Sequence, residues 1–274
     1  MLTEHILDLE KINRELEAKK PEEIIAWAAR EFSGRIAMTS SFGPESGVLL
    51  HMVSRVDPSV PVLFLETGYH FPETLLYKEE LVRLFGLKNV VDLKADPKRK
   101  AEVVAKYEGV PYEKNPDLCC QINKVEPLDT ALQNYEAWMS GIRRHQTDFR
   151  KSVRIVEEYQ GRFSTTFGST EGSGRTVPGS PHLYKISPLA GLTSRELWWY
   201  LKEHNIPKHP LYDKGYLSVG CWPCTRPVQE GDDERSGRWA GKAKTECGIH
   251  TFMEVKPEEK KKEEKPGVGY SEGI

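Results

Sequence analysis

Five cysteines carry the most specific chemistry in this sequence, and their spacing divides them four to one. Cys119 and Cys120 are adjacent, and Cys221-Trp222-Pro223-Cys224 places a Cys-x-x-Cys pair far downstream. A Cys-x-x-Cys pair is a common chelating element for zinc or for an iron–sulfur cluster. Adjacent cysteines bind one tetrahedral ion awkwardly, whereas a cubane cluster offers separate iron corners. The pattern therefore favours a [4Fe–4S] cluster over zinc, with free buried thiols as the competing reading. The cysteine left over, Cys247, lies in Glu246-Cys247-Gly248-Ile249-His250. With His250 close by and Gly248 giving local freedom, it has the makings of a nucleophile, provided that cations lower its pKa. An incidental thiol near a terminus explains the same letters equally well.

Cations are spaced to help. Lys124 follows Cys120 by one helical turn, Arg143 and Arg144 are adjacent, and Arg226, Arg235 and Arg238 flank Cys224 and Cys247, with Lys185 standing apart. The guanidinium fork suits phosphate and sulfate, although most such residues in any protein are solvated surface. Two loops could receive an anion or a nucleotide. Ser40-Ser41-Phe42-Gly43-Pro44-Glu45-Ser46-Gly47 offers close backbone N–H groups and serine hydroxyls before a helix. Glu66-Thr67-Gly68-Tyr69 follows the next apolar run, with Thr67 and Gly68 as candidate contacts. Each loop also reads as an ordinary turn, Gly68 supplying a positive φ.

Positioning these groups falls to an alternating series of elements. Glu4 to Lys19 carries a rough helical stripe, and Pro21 opens a second helix. Strands are expected at Ile36–Met38, Val62–Leu65 and Asn89–Leu93, with helices after the Ser41 loop, at Pro72–Phe85 and at Pro97–Tyr107. That order predicts a doubly wound α/β fold with a mostly parallel sheet, whose ligands sit at the carboxyl ends of the strands. Thr193–His204 is expected to be a helix with Thr193 as N-cap and Glu196 completing a capping box. The expected organisation is N-terminal helices over 1–32, one α/β domain over 33–251, and a charged, disordered tail over 252–274. Gly168 to Pro181 reads as a flexible loop. A net charge of −2 argues against wholesale attraction to nucleic acid, no apolar run is long enough for a bilayer, and the first residues lack the pattern of a signal peptide. A cytoplasmic protein is expected, and a homo-oligomer on general grounds.

Taken together, the motifs resemble those of the assimilatory sulfonucleotide reductases. The matching words are Ser41-Phe42-Gly43, Thr67-Gly68-Tyr69, Cys119-Cys120 with Lys124, Gly141-Ile142-Arg143-Arg144-His145-Gln146, Gly220-Cys221-Trp222-Pro223-Cys224-Thr225-Arg226-Pro227, Arg235-Ser236-Gly237-Arg238-Trp239 and Glu246-Cys247-Gly248-Ile249-His250. They run in order from about Ser33 to Thr251. The resemblance implies an adenine-nucleotide α-hydrolase-like fold, related to the ATP pyrophosphatases, and a [4Fe–4S] cluster on Cys119, Cys120, Cys221 and Cys224. It implies catalysis by Cys247 with His250, Lys124, Arg235 and Arg238. It also implies substrate contacts from Ser41, Phe42, Gly43, Thr67, Gly68, Arg143, Arg144 and Arg226. The implied reaction is reduction of adenosine 5′-phosphosulfate (APS) to sulfite through a cysteine S-sulfonate, with a separate thioredoxin as reductant. The four cluster cysteines favour APS over its 3′-phosphorylated form (PAPS).

Glu66 stands where the family commonly has Asp, and Lys208-His209 replaces a more usual Tyr-Asn-like pair. PAPS reduction is the nearest alternative. An adenylating ATP pyrophosphatase is disfavoured because its first loop resembles SGGxDS, unlike Ser41-Phe42-Gly43-Pro44-Glu45-Ser46. A non-catalytic iron–sulfur sensor leaves Cys247 and His250 without a role.

Overall fold

Short apolar runs build a six-stranded sheet in the order β3-β2-β1-β4-β6-β5. The strands are Ile36–Thr39 (β1), Val62–Leu65 (β2), Val90–Leu93 (β3), Ala137–Met139 (β4), Val156–Glu158 (β5) and Tyr184–Ile186 (β6). A computed structural model describes residues 6–159, 182–229, 231–242 and 244–250. The pairings β1–β2, β1–β4, β2–β3 and β4–β6 are parallel, while β5 runs antiparallel to β6. The expected loop at Gly168 to Pro181 and the tail over 252–274 lie outside the described residues.

Side chains alternate across the strands, so a sheet covered on both faces needs apolar residues at every position. Ile36 and Met38 of β1, Val62 and Phe64 of β2, and Ala137 and Met139 of β4 enter one core. Helices Pro21–Glu31 (α2), Ser46–Val56 (α3), Pro72–Phe85 (α4) and Ser194–Glu203 (α9) supply residues to that core. The intervening Ala37, Leu63 and Trp138 face the opposite side, where they meet Leu128 and Leu132 of Glu126–Leu132 (α8). Thr193 caps α9 as expected, its hydroxyl accepting from Glu196 N and its own N–H donating to Glu196 Oε2 at 2.7 Å.

The N-terminal helices are integral to this fold. Leu9–Leu16 (α1) lies along the outer strand β5, where Asn13 accepts from Val156 N at 3.0 Å and donates to Val156 O at 2.8 Å. That amide pairs the backbone of an edge strand that would otherwise be open. Helices Pro97–Lys106 (α5), Pro111–Lys114 (α6) and Pro116–Cys120 (α7) lead into a π-helical turn at Gln121–Val125, and α8 follows directly. Among the described residues no helix is long and apolar enough to cross a membrane.

Candidate active site

Connections from β1 leave in one direction, to β2 and β3, and the sheet continues through β4 on the other side. Such a reversal opens a crevice at the carboxyl ends of the central strands. Here a cleft of about 220 Å³ lies at that point, bounded by Thr39 to Ser41 at the end of β1 and Ser140 to Ile142 after β4. Phe42 takes a positive φ of 47° and buries its ring edge-on against Phe64, 5.4 Å between centroids. This strained turn leaves Ser41 and Gly43 lining the cleft, with α3 starting at Ser46 behind them. Leu49, Phe64, Leu65, Leu197 and Val219 give the cleft an apolar wall.

The far wall is cationic and carries the left-over cysteine. Lys124, Arg150, Arg235, Arg238, Cys247 and His250 all line the cleft. Three local features bring them there. The π turn after α7 widens the helix and carries Lys124, a distortion common at functional sites. Thr225 and Arg238 form an isolated β-bridge, and Arg226 N donates to Gly237 O at 2.9 Å, which folds the chain after Cys224 back over the cleft. Arg150 ends a 3₁₀ turn after β4, Asp148–Arg150.

Charge is crowded here. Burial, and then the neighbouring Arg150 and Arg238, lower the Arg235 pKa to about 10. Burial, Lys185, Arg150 and Arg235 push the His250 imidazole well below the ordinary histidine range, so it is neutral at pH 7. Burial opposes the Lys124 ammonium, but the Cys221, Cys247 and Cys120 thiols outweigh it and raise its pKa. Arg235 Nε, Arg238 Nε and His250 Nδ1 are buried with no hydrogen-bond partner among the described residues. Buried donors without partners are costly, and an anion in the cleft would satisfy them.

A second, smaller cavity adjoins the first. Cys119, Cys120, Cys221 and Cys224 line it together with Lys124 and Trp239, and Lys124, Cys221 and Trp239 border both cavities. Thr67 Oγ1 lies 3.5 Å from Cys221 Sγ, and Asn123 Nδ2 lies 3.7 Å from Cys119 Sγ. Burial first, and then the neighbouring thiols, raise the Cys119 pKa to about 12; burial raises that of Cys120 to about 11. Among the described residues no group of three or more His, Cys, Asp or Glu side chains is arranged to hold a metal ion. The four thiols nevertheless share one cavity as an all-sulfur donor set. That chemistry fits an iron–sulfur cluster better than an oxygen-loving cation.

Several expected substrate contacts do other work. Arg143 is fully buried and bridges Glu45 and Glu234, 3.2 Å from the latter, and donates to Ser194 Oγ at 3.1 Å. Arg144 grips Glu17 of the N-terminal segment and donates to Val153 O at 2.7 Å. Arg226 is exposed and caps the Trp222–Cys224 turn through Trp222 O and Thr225 O. Thr67 is buried, its carbonyl accepting from Lys100 Nζ at 2.7 Å, and Gly68 is exposed with φ +77°. Neither they nor Phe42 lines the cleft, where Leu65 and His70 occupy the β2 side. Lys185 is buried in β6 against Glu157 at 3.3 Å. Arg150, Gln146 and Glu246 line the cleft without having been singled out from the sequence. Glu246 abuts the nucleophile candidate, so its place in the motif was the available signal; Arg150 had none in its spacing.

Fold and cleft together define a doubly wound α/β protein with an anion-receptive site at its switch point and a cysteine set among cations. Residues 35–227 match the phosphoadenosine phosphosulfate reductase domain, and the chain belongs to that family. It is similar to the adenosine 5′-phosphosulfate reductase of Bacillus cereus, with 39% identity over 87% of this chain and 93% of that one. The enzyme of the same name from Mesorhizobium japonicum is 43% identical over 84% of this chain and 82% of its own length. The phosphoadenosine 5′-phosphosulfate reductase of Gloeobacter violaceus is 40% identical, covering 88% and 93% respectively. Among solved structures, Candida auris phosphoadenylyl-sulfate reductase shares the fold with a TM-score of 0.62 at 24% identity, covering 82% of this chain and 100% of that one. Candida glabrata FMN adenylyltransferase does so with 0.51 at 16% identity, over 81% and 67%. The fold is thus adenine-nucleotide α-hydrolase-like.

Proposed function

We propose that the protein reduces adenosine 5′-phosphosulfate to sulfite and AMP in sulfate assimilation, with a thioredoxin as two-electron donor. The observation that carries this reading is Cys247 facing a cleft with Lys124, Arg150, Arg235 and Arg238. The names of the Bacillus cereus and Mesorhizobium japonicum relatives support APS as substrate.

The adenosine end occupies the apolar wall, with the Ser41–Gly43 loop near its phosphate. The phosphosulfate meets Arg235 and Arg238, whose Nε groups have no other partner among the described residues. Neutral His250, stacked parallel to Trp138 at 6.1 Å, hydrogen-bonds the sulfonate through Nδ1. The Cys247 thiolate attacks sulfur, the bond from sulfur to the bridging phosphate oxygen breaks, and AMP departs with that electron pair. Lys124 and the guanidiniums stabilise the charge that shifts during transfer. A donor thiolate then attacks Cys247 Sγ, sulfite leaves with the S–S electron pair, and the second donor thiol resolves the mixed disulfide. Sulfur is reduced by two electrons and the donor dithiol is oxidised.

Cys119, Cys120, Cys221 and Cys224 would hold a [4Fe–4S] cluster. When bound, it supplies a fixed charge distribution beside Lys124, with no electron passing through it in turnover. The catalytic step uses Cys247, Lys124, Arg235, Arg238 and His250 of this chain.

PAPS reduction is the second reading, favoured by the name of the Gloeobacter violaceus relative. The deciding assay supplies each nucleotide with thioredoxin to anaerobically purified protein and measures sulfite. Sulfite from APS, with little from PAPS, is the expected result. Turnover of PAPS alone would replace APS as the substrate.

A further inference from the structure

Glu246 is 6% exposed and adjacent to Cys247, and no chemical step above uses it. Its carboxylate accepts from Arg150 Nε at 2.8 Å and Arg150 Nη2 at 2.7 Å, a two-pronged pair. Arg235 Nη2 adds a third contact at 3.2 Å and also reaches Thr245 O at 3.2 Å. Arg150 follows β4 and Arg235 follows the Cys221–Cys224 turn, so one carboxylate ties the cysteine-bearing segment to two separate stretches of the chain. Other attachments of the segment include the Lys244–Asp117 pair at an exposed carboxylate, the packing of Ile249 and the stacking of His250. Bidentate pairs of this kind fix geometry as well as proximity.

We propose that Glu246 is a positioning residue, an electrostatic latch whose docking on Arg150 and Arg235 turns the Cys247 thiol into the cleft and whose release lets that thiol leave. The inference rests on the reading of Cys247 as nucleophile. The reaction asks the same thiol to meet a bound nucleotide and then a protein donor. A latch of charge-assisted hydrogen bonds holds the first arrangement firmly while remaining breakable. Removing one partner of a buried pair strands the other charge, so the docked state should be sensitive to this single carboxylate.

The test compares the wild type with Glu246→Gln and Glu246→Asp. Cys247 alkylation by neutral iodoacetamide is followed by peptide mass spectrometry on the high-pH plateau, where a change in thiol acidity does not mimic a change in access. Single-turnover AMP release from APS and the AMP dissociation constant are measured alongside. The Gln variant is expected to alkylate about ten-fold faster and to release AMP about ten-fold more slowly, with AMP affinity within roughly two-fold and the Asp variant partly rescued. Unchanged alkylation or an unchanged single-turnover rate in Glu246→Gln would overturn the latch. Should Glu246→Gln not fold, Arg150→Lys keeps the cation but loses the fork, and its alkylation must rise likewise. The alkylation readout needs no nucleotide, so failure of the latch is distinguishable from failure of the nucleophile assignment, which Cys247→Ser tests.

Discussion

Cys247 gains its setting from residues far apart in sequence: Lys124 from the π turn, Arg150 from beyond β4, and Arg235 and Arg238 from the fold-back after Cys224. Replacing it by serine keeps the shape of the cleft and removes the soft nucleophile, so sulfite formation should fall by at least about 10³-fold while AMP still binds. Arg238→Ala removes a donor aimed at developing charge, and kcat/KM should drop about 10²- to 10³-fold; a loss confined to KM would make Arg238 a binding residue alone. His209 makes a separate prediction. It accepts from Leu211 N at 3.1 Å and lies 3.1 Å from Thr74 Oγ1, and burial, only partly opposed by Glu73, lowers its pKa to about 4. The unfolded chain therefore binds a proton that the fold refuses. Stability is fully present above pH ~6.5 and is lost as pH falls towards about 4, by up to about 3 kcal/mol. Urea midpoints across that range should fall in the wild type, and fall less in His209→Asn. At the Lys208-His209 departure, His209 packs beneath α4 while Lys208 is exposed and pairs with Asp213.

At the scale of elements, the first hundred residues were readable because each apolar run has the length and period of one strand or one helix. Val62–Leu65 and Pro72–Phe85 lie where the pattern predicts them. β4, β5 and β6 were not readable, since three residues carry no period and their pairing is decided by the sheet. The π turn was equally hidden: Gln121–Val125 is distinguished from an ordinary helix by hydrogen bonding alone. The same limit explains Arg143 and Arg144. Adjacent arginines advertise anion binding, yet Arg143 is extended and Arg144 opens a 3₁₀ turn, and their side chains diverge, one into the Glu45–Glu234 pair and one towards Glu17. Gly237 tests the fold-back after Cys224. A Cβ there would lie 2.2 Å from Arg226 O, a backbone atom that cannot swing aside. Gly237→Ala should cost roughly 1–3 kcal/mol and displace Arg235 and Arg238. Thermal unfolding and kcat/KM should both decline; a variant with wild-type values in both would show that the fold-back tolerates the shift.

For the whole molecule, the sheet order brings the two halves of the site together. The reversal between β1 and β4 opens the cleft, α3 closes one side, and chain from both cysteine pairs closes the other. The cysteine cavity and the cleft share Lys124, Cys221 and Trp239, so the two should respond together. If the proposed cluster is bound, anaerobic removal of iron by chelation should abolish its visible absorption, lower the melting temperature and reduce activity in parallel, because ligands of both chain segments would lose their common anchor. Full activity in iron-free protein would separate the cavity from catalysis. In the proposed reaction Cys247 takes the sulfonate from the nucleotide within this cleft. Its most direct test is a single turnover with APS and no thiol donor, followed by mass spectrometry of the intact protein and its peptides. One sulfonate adduct is expected, on the peptide containing Cys247, formed with stoichiometric AMP and released as sulfite when thioredoxin is added. AMP and sulfite released without any adduct, or an adduct on another cysteine, would contradict it.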